Sequence, residues 1–170
     1  RDIGVTGVQT CALPICYILH NSPVRPALLA GRVGWFHPPL QLDRMSMAIG
    51  ALVGRHDFSA FRAAGCQAKS PLKIMHEARV QQEGEYFIFD FHANAFLHHM
   101  VRNLVGALVY VGKGHHSPDW LGEVLQNGDR SLAAPTFPAD GLYLCGVDYP
   151  DRWSLPGEGR IIRLPRLPCV

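Results

Sequence analysis

No stretch of the 170 residues approaches the run of about eighteen apolar residues that a membrane-spanning helix needs, so no bilayer crossing is expected. Cysteine is sparse. Cys11, Cys16, Cys66, Cys145 and Cys169 form no C-x-x-C pair and are odd in number. That argues against a disulfide framework and makes a reducing, cytoplasmic setting the default. Charge is thin too: 16 basic against 14 acidic side chains leave a net +2, too little to argue for nucleic acid on composition alone. The nine histidines do not stand at metal-ligand spacing. His98 and His99 are neighbours and would point about 100° apart on a helix, and His115-His116 has no partner one turn away. A metal centre is therefore not expected. No internal repeat is present, and no acid occurs between Phe58 and His76.

A hydrophobic fraction of 48% supports one domain of ordinary size with a real core. Residues 1–16 (RDIGVTGVQTCALPIC) show neither helical nor strand periodicity and lack the features of a signal peptide. They read as a non-native, adapter-derived leader. Residues 151–170, rich in proline and arginine without periodicity, read as a disordered tail. The folded domain is thus expected over 17–150.

Within it, residues 17–21 and 33–36 read as short strands. A helix is expected over 42–53, with Leu42, Met45, Ile49 and Leu52 on one face. The segment 58–71 is loop-like. Residues 72–80 and 86–92 alternate with period two around Gln82-Glu83-Gly84-Glu85, a hairpin signal that puts Phe87, Phe89 and Phe91 on the core side. A helix follows from about Asn94 to Val111, a short one over 118–125, and a last strand over 142–149. Strand, helix, strand, strand, helix, strand is the order of a ferredoxin-like α+β unit, so the expectation is an antiparallel sheet with helices on one face.

The helix beginning near Asn94 carries the most pointed chemistry. On a helical wheel His98, His99, Arg102, Asn103 and Gly106 share an arc, while Leu97, Val101, Leu104, Leu108 and Val111 cover much of the rest. An arginine in so apolar a helix needs an anionic partner. No acid lies nearby in sequence, so the partner is another segment or a ligand such as phosphate. The plain alternative is an internal carboxylate such as Asp90.

Four blocks occur in a telling order: Asp57-Phe58-Ser59-Ala60-Phe61-Arg62, then Gly65-Cys66-Gln67-Ala68-Lys69-Ser70-Pro71, then Asn94 to Gly106, then Gly141-Leu142-Tyr143-Leu144. They resemble successive blocks of the bacterial tRNA pseudouridine synthase A (TruA-type) family, and Leu132-Ala133-Ala134-Pro135-Thr136 fits the stretch before its last strand. The resemblance covers about residues 17–149. It implies the carboxy-terminal portion of a truncated pseudouridine synthase fold, and an enzyme that isomerises uridine to pseudouridine in the anticodon stem-loop of tRNA. It also implies a homodimer, no metal and no organic cofactor.

The family breaks the N-glycosidic bond with one attacking aspartate. By the resemblance Arg102 is the basic residue that keeps that carboxylate ionised and oriented. Arg62, Gly65, Cys66, Gln67 and Lys69 match an RNA-touching segment, and His98 and His99 would line the cleft floor. Read without the family, the same loop cations are ordinary solvated surface groups and Cys66 a packing residue. The family's aspartate stands in an Arg-Thr-Asp block that these residues do not contain; Arg1-Asp2-Ile3 lacks the threonine. The position of its substrate-stacking tyrosine is Ile15. The polypeptide as written is therefore expected to have no turnover, and the alternative reading is a non-catalytic RNA-binding α+β module.

Overall fold

The computed structural model describes residues 13–146. The sequence readings for 1–12 and 147–170 lie outside the described residues. In chain order the elements are β1 (Leu13–Asn21), β2 (Gly34–Phe36), α1 (Leu42–Ile49), β3 (Gly54–Asp57), β4 (Leu72–Glu83), β5 (Tyr86–Ala93), α2 (Met100–Gly112), α3 (Trp120–Asn127) and β6 (Leu142–Leu144). Single 3-10 turns at Gly50–Leu52, Ser59–Phe61 and Arg130–Leu132 punctuate the connections. Among the described residues no helix is long and apolar enough to cross a membrane.

The strands form one sheet in the order β2-β1-β5-β4-β3, with β6 also pairing β1. The four-strand path β6-β1-β5-β4, with α1 and α2 as its crossovers, is the ferredoxin-like arrangement. The sheet is mixed rather than purely antiparallel, because β2 runs parallel to β1. Residues 22–33 supply the connection of about a dozen residues that a parallel return requires. The hairpin forms as expected, with Gly84 at φ +58° between Glu83 and Tyr86.

Alternation decides the faces. Tyr17, Leu19, Phe87, Phe89 and Phe91 are all essentially buried and pack with the inward residues of the three helices. On the opposite face Cys16, Ile18 and Ile88 form a smaller cluster with Val33, covered by Leu29 of the 22–33 segment. Helices therefore occupy one face, and a loop partly shields the other.

Three differences from the sequence reading bear on the site. Strand β1 begins at Leu13, four residues ahead of the expected domain start, because Leu13 to Cys16 pair with Ala93 to Asp90. Backbone pairing needs no side-chain alternation. Strand β3 pairs Gly54 to Asp57 with Met75 to Leu72; its Arg-His-Asp composition hides an edge strand. Helix α2 starts at Met100, not near Asn94. Asn94 is held at the strand end, where its Oδ1 accepts the Ile74 N–H at 3.0 Å and its own N–H donates back to the Ile74 carbonyl.

Candidate functional site

The late start of α2 changes the geometry of the two histidines. His98 and His99 are not on the helix. His99 adopts the left-handed conformation, φ 61°, at the cap, and its ring lies 3.9 Å from that of His98 at an interplanar angle of 32°. The rings thus stack instead of diverging by about 100°. His98 is exposed and His99 half-buried. The first turn of α2 carries no acid of its own, so no carboxylate of the helix itself offsets its positive end.

The 62–71 loop is tied to this turn. The backbone N–H of His98 donates to Cys66 Sγ at 3.3 Å, and Ala63 N–H donates to the His98 carbonyl. One terminal nitrogen of Arg62 donates to the carbonyls of Cys66 and of Ala68, the latter at 3.0 Å, so Arg62 braces the loop from within. Gly65, Gln67 and Lys69 project at the exposed crown, and Cys66 is buried beneath them. Backbone N–H groups of Ala68 and His98 pull the Cys66 thiol below its ordinary pKa.

Arg102 stands in the first turn of α2, half-buried. Its Nε donates to the Phe137 carbonyl at 2.7 Å, and the Phe137 N–H donates back to the Arg102 carbonyl at 3.2 Å. Among the described residues no carboxylate forms an ion pair with it. Asp90 is not its partner. That side chain belongs to the opposite sheet face, where burial raises its pKa and Arg79 lowers it. The 133–137 segment crosses α2 so closely that a methyl group on Gly106 would sit 2.3 Å from the Pro135 carbonyl oxygen. Gly106 makes room for the chain itself.

Tyr17 completes the floor. Its hydroxyl donates to the Pro138 carbonyl at 2.9 Å. Burial and the nearby Asp140 push its pKa up, and Arg102 pulls it down. His99 is driven below the ordinary histidine value by burial, by His98 and by Arg102. Ile15, the position the family gives to a stacking tyrosine, is a half-buried strand residue opposite Phe91. Sequence reasoning assigned no role to Asn103, Arg130 or Thr136, which form a connected group behind Arg102, Asn103 fully buried and the other two half-buried. Thr136 lies in a stretch whose family likeness was visible, and that was the available signal. Among the described residues no cluster of three metal-ligating side chains occurs.

A family model described as tRNA pseudouridine synthase matches residues 48–150, a span that takes in the Arg62 loop, the histidine turn, Arg102 and the 133–137 segment. The chain belongs to the tRNA pseudouridine synthase family. Proteins named tRNA pseudouridine synthase A agree with that placement. The one from Aromatoleum aromaticum is 76% identical over 154 residues, which is 91% of this chain and 58% of the relative. The one from Dechloromonas aromatica is 62% identical over 140 residues, 82% of this chain and 53% of the relative. The one from Methylobacillus flagellatus is 57% identical over 148 residues, 87% of this chain and 57% of the relative. The chain thus spans about half the length of the curated synthases it matches.

Proposed function

We propose that this chain supplies the arginine-bearing, RNA-contacting portion of an enzyme that isomerises uridine to pseudouridine in the anticodon stem-loop of tRNA. One observation carries the reading: a half-buried guanidinium is fixed by a backbone carbonyl and has no carboxylate paired to it among the described residues. A cation held this way is a receptor for an anion. A neighbouring aspartate would be kept ionised and aimed by it, and would attack the nucleotide while the glycosidic bond breaks and uracil turns to rejoin through carbon.

The exposed crown of the 62–71 loop, with Gly65, Gln67 and Lys69 on top and Arg62 and Cys66 bracing it from below, would meet the tRNA backbone. His98 and His99 would face the reacting nucleotide, which must leave its stack to be reached. The working enzyme is a cytoplasmic homodimer in this reading and uses neither metal nor organic cofactor. No Arg-Thr-Asp block occurs in the 170 residues, so the polypeptide by itself binds tRNA without converting it. That makes a non-catalytic RNA-binding module the description of these residues in isolation.

Two measurements test the proposal. Tritium release from tRNA labelled at uridine C5 should stay at blank with this polypeptide, and release well above blank overturns the claim of inactivity. A gel shift with unmodified tRNA should show binding that weakens steeply with salt and drops on Arg102→Gln. Absence of any tRNA binding at low salt overturns the RNA-contact reading.

A further inference from the structure

The group behind Arg102 has a shape that simple loop anchoring does not require. Asn103, the residue next to Arg102, is fully buried. Its Nδ2 donates to the Phe61 carbonyl at 2.7 Å, and its Oδ1 accepts from Thr136 Oγ1 at 2.6 Å and from an Arg130 terminal nitrogen at 3.3 Å. That same Arg130 nitrogen reaches Thr136 Oγ1 at 3.3 Å, while its other one donates to the Ala134 carbonyl at 3.0 Å. One guanidinium therefore clasps both ends of the segment that crosses α2 at Gly106. The next residue after Thr136 is Phe137, whose carbonyl receives the Arg102 Nε–H.

We infer that Arg130 is a positioning residue for Arg102, acting through Asn103 and Thr136. Its planar fork meets acceptors in two directions at once, which a lysine ammonium on a flexible stem cannot reproduce. Asn103 then couples this clasp to the Phe61 turn and so to the base of the RNA-facing loop. The chain of contacts makes the direction of the Arg102 guanidinium depend on a side chain that does not touch it. The structural part of this inference stands by itself; its functional consequence rests on the role proposed for Arg102.

The test uses the 170-residue chain with Arg130→Gln, Arg130→Lys, Thr136→Val and Thr136→Ser. The direct readout is the Arg102 Nε–H resonance in 15N–1H spectra and its exchange with solvent, beside a thermal melt that reports folding. Each of Arg130→Gln, Arg130→Lys and Thr136→Val should speed exchange by about tenfold, the scale of one weakened hydrogen bond. Thr136→Ser keeps the hydroxyl and should restore parental exchange. In tRNA binding, Arg130→Gln should weaken the parent but add nothing to Arg102→Gln, since both act through one group. Parental exchange in a folded Arg130→Gln or Thr136→Val chain overturns the inference, as does additivity of the two arginine substitutions. If the parent itself fails to bind tRNA, the functional proposal falls, and the exchange measurement still decides the positioning role.

Discussion

Three glycines lie inside α2 and α3, and replacing each by alanine should give three different results. Each replacement removes backbone freedom from the unfolded chain, a gain of about 0.5–1 kcal/mol where the methyl group fits. At Gly122 it fits, since the nearest atom would be the Ala51 Cβ at 3.6 Å, an ordinary contact. At Gly112 it meets Met45 Sδ at 2.8 Å and Leu40 Cδ2 at 3.2 Å. These are side-chain atoms, but Met45 is fully buried and is also met at Cγ, 2.9 Å away, so the methionine must repack rather than swing free; gain and cost should nearly cancel. At Gly106 it meets the Pro135 carbonyl oxygen at 2.3 Å, and backbone must retreat by about 1 Å to reach ordinary contact. Overpacking of that kind costs about 1–3 kcal/mol, more than the helix gains. Gly106→Ala should therefore lose about 1–2 kcal/mol net, lowering the urea midpoint by roughly 0.5–1 M for a domain of this size. Urea unfolding followed by circular dichroism, with Gly122→Ala and Gly112→Ala alongside, makes the comparison. A midpoint for Gly106→Ala that rises as far as that of Gly122→Ala refutes the close crossing of the 133–137 segment.

Four further outcomes follow from the site. His99 has a folded pKa held below its ordinary value of about 6.5, so between those two values the unfolded chain binds more protons than the folded one. Its contribution to stability should be complete above about pH 6.5 and fall away as the pH drops through the lower folded value; urea midpoints of the parent and His99→Gln across that window should converge towards the acid side. Lys69→Ala should reduce the salt slope of tRNA binding by about one without changing stability. Arg62→Ala should in addition lower the melting temperature, because Arg62 holds two loop carbonyls. Iodoacetamide should label Cys66 well before Cys16 as read by peptide mass mapping, since Cys66 has a lowered pKa while burial pushes the Cys16 thiol up to about 12.

The sequence by itself determined whatever depends on near neighbours. Period-two alternation around Gly84 specified the hairpin and its phenylalanine face, and the apolar run ending near Val111 specified a buried helix with one anomalous cation at Arg102, though not where that helix begins. The ordering of family blocks, visible in the residues alone, led to the same family that the comparisons show. Of the leader read over 1–16, residues 1–12 lie outside the described residues, as does the tail, while Leu13 to Cys16 belong to β1. Tertiary structure decided the remainder. Strand β3 exists because β4 offers it an edge, whatever its polar composition. Asn94, held by Ile74 across the sheet, delays α2 and turns the two histidines from diverging helix residues into a stacked pair. Arg102 found a partner that is a carbonyl 35 residues away, and Arg130 found the Ala134 carbonyl, Asn103 and Thr136. The physical reason is common to all of these: every residue has a backbone carbonyl, so an acceptor of that kind leaves no mark in the sequence, and only the fold determines which one comes within reach.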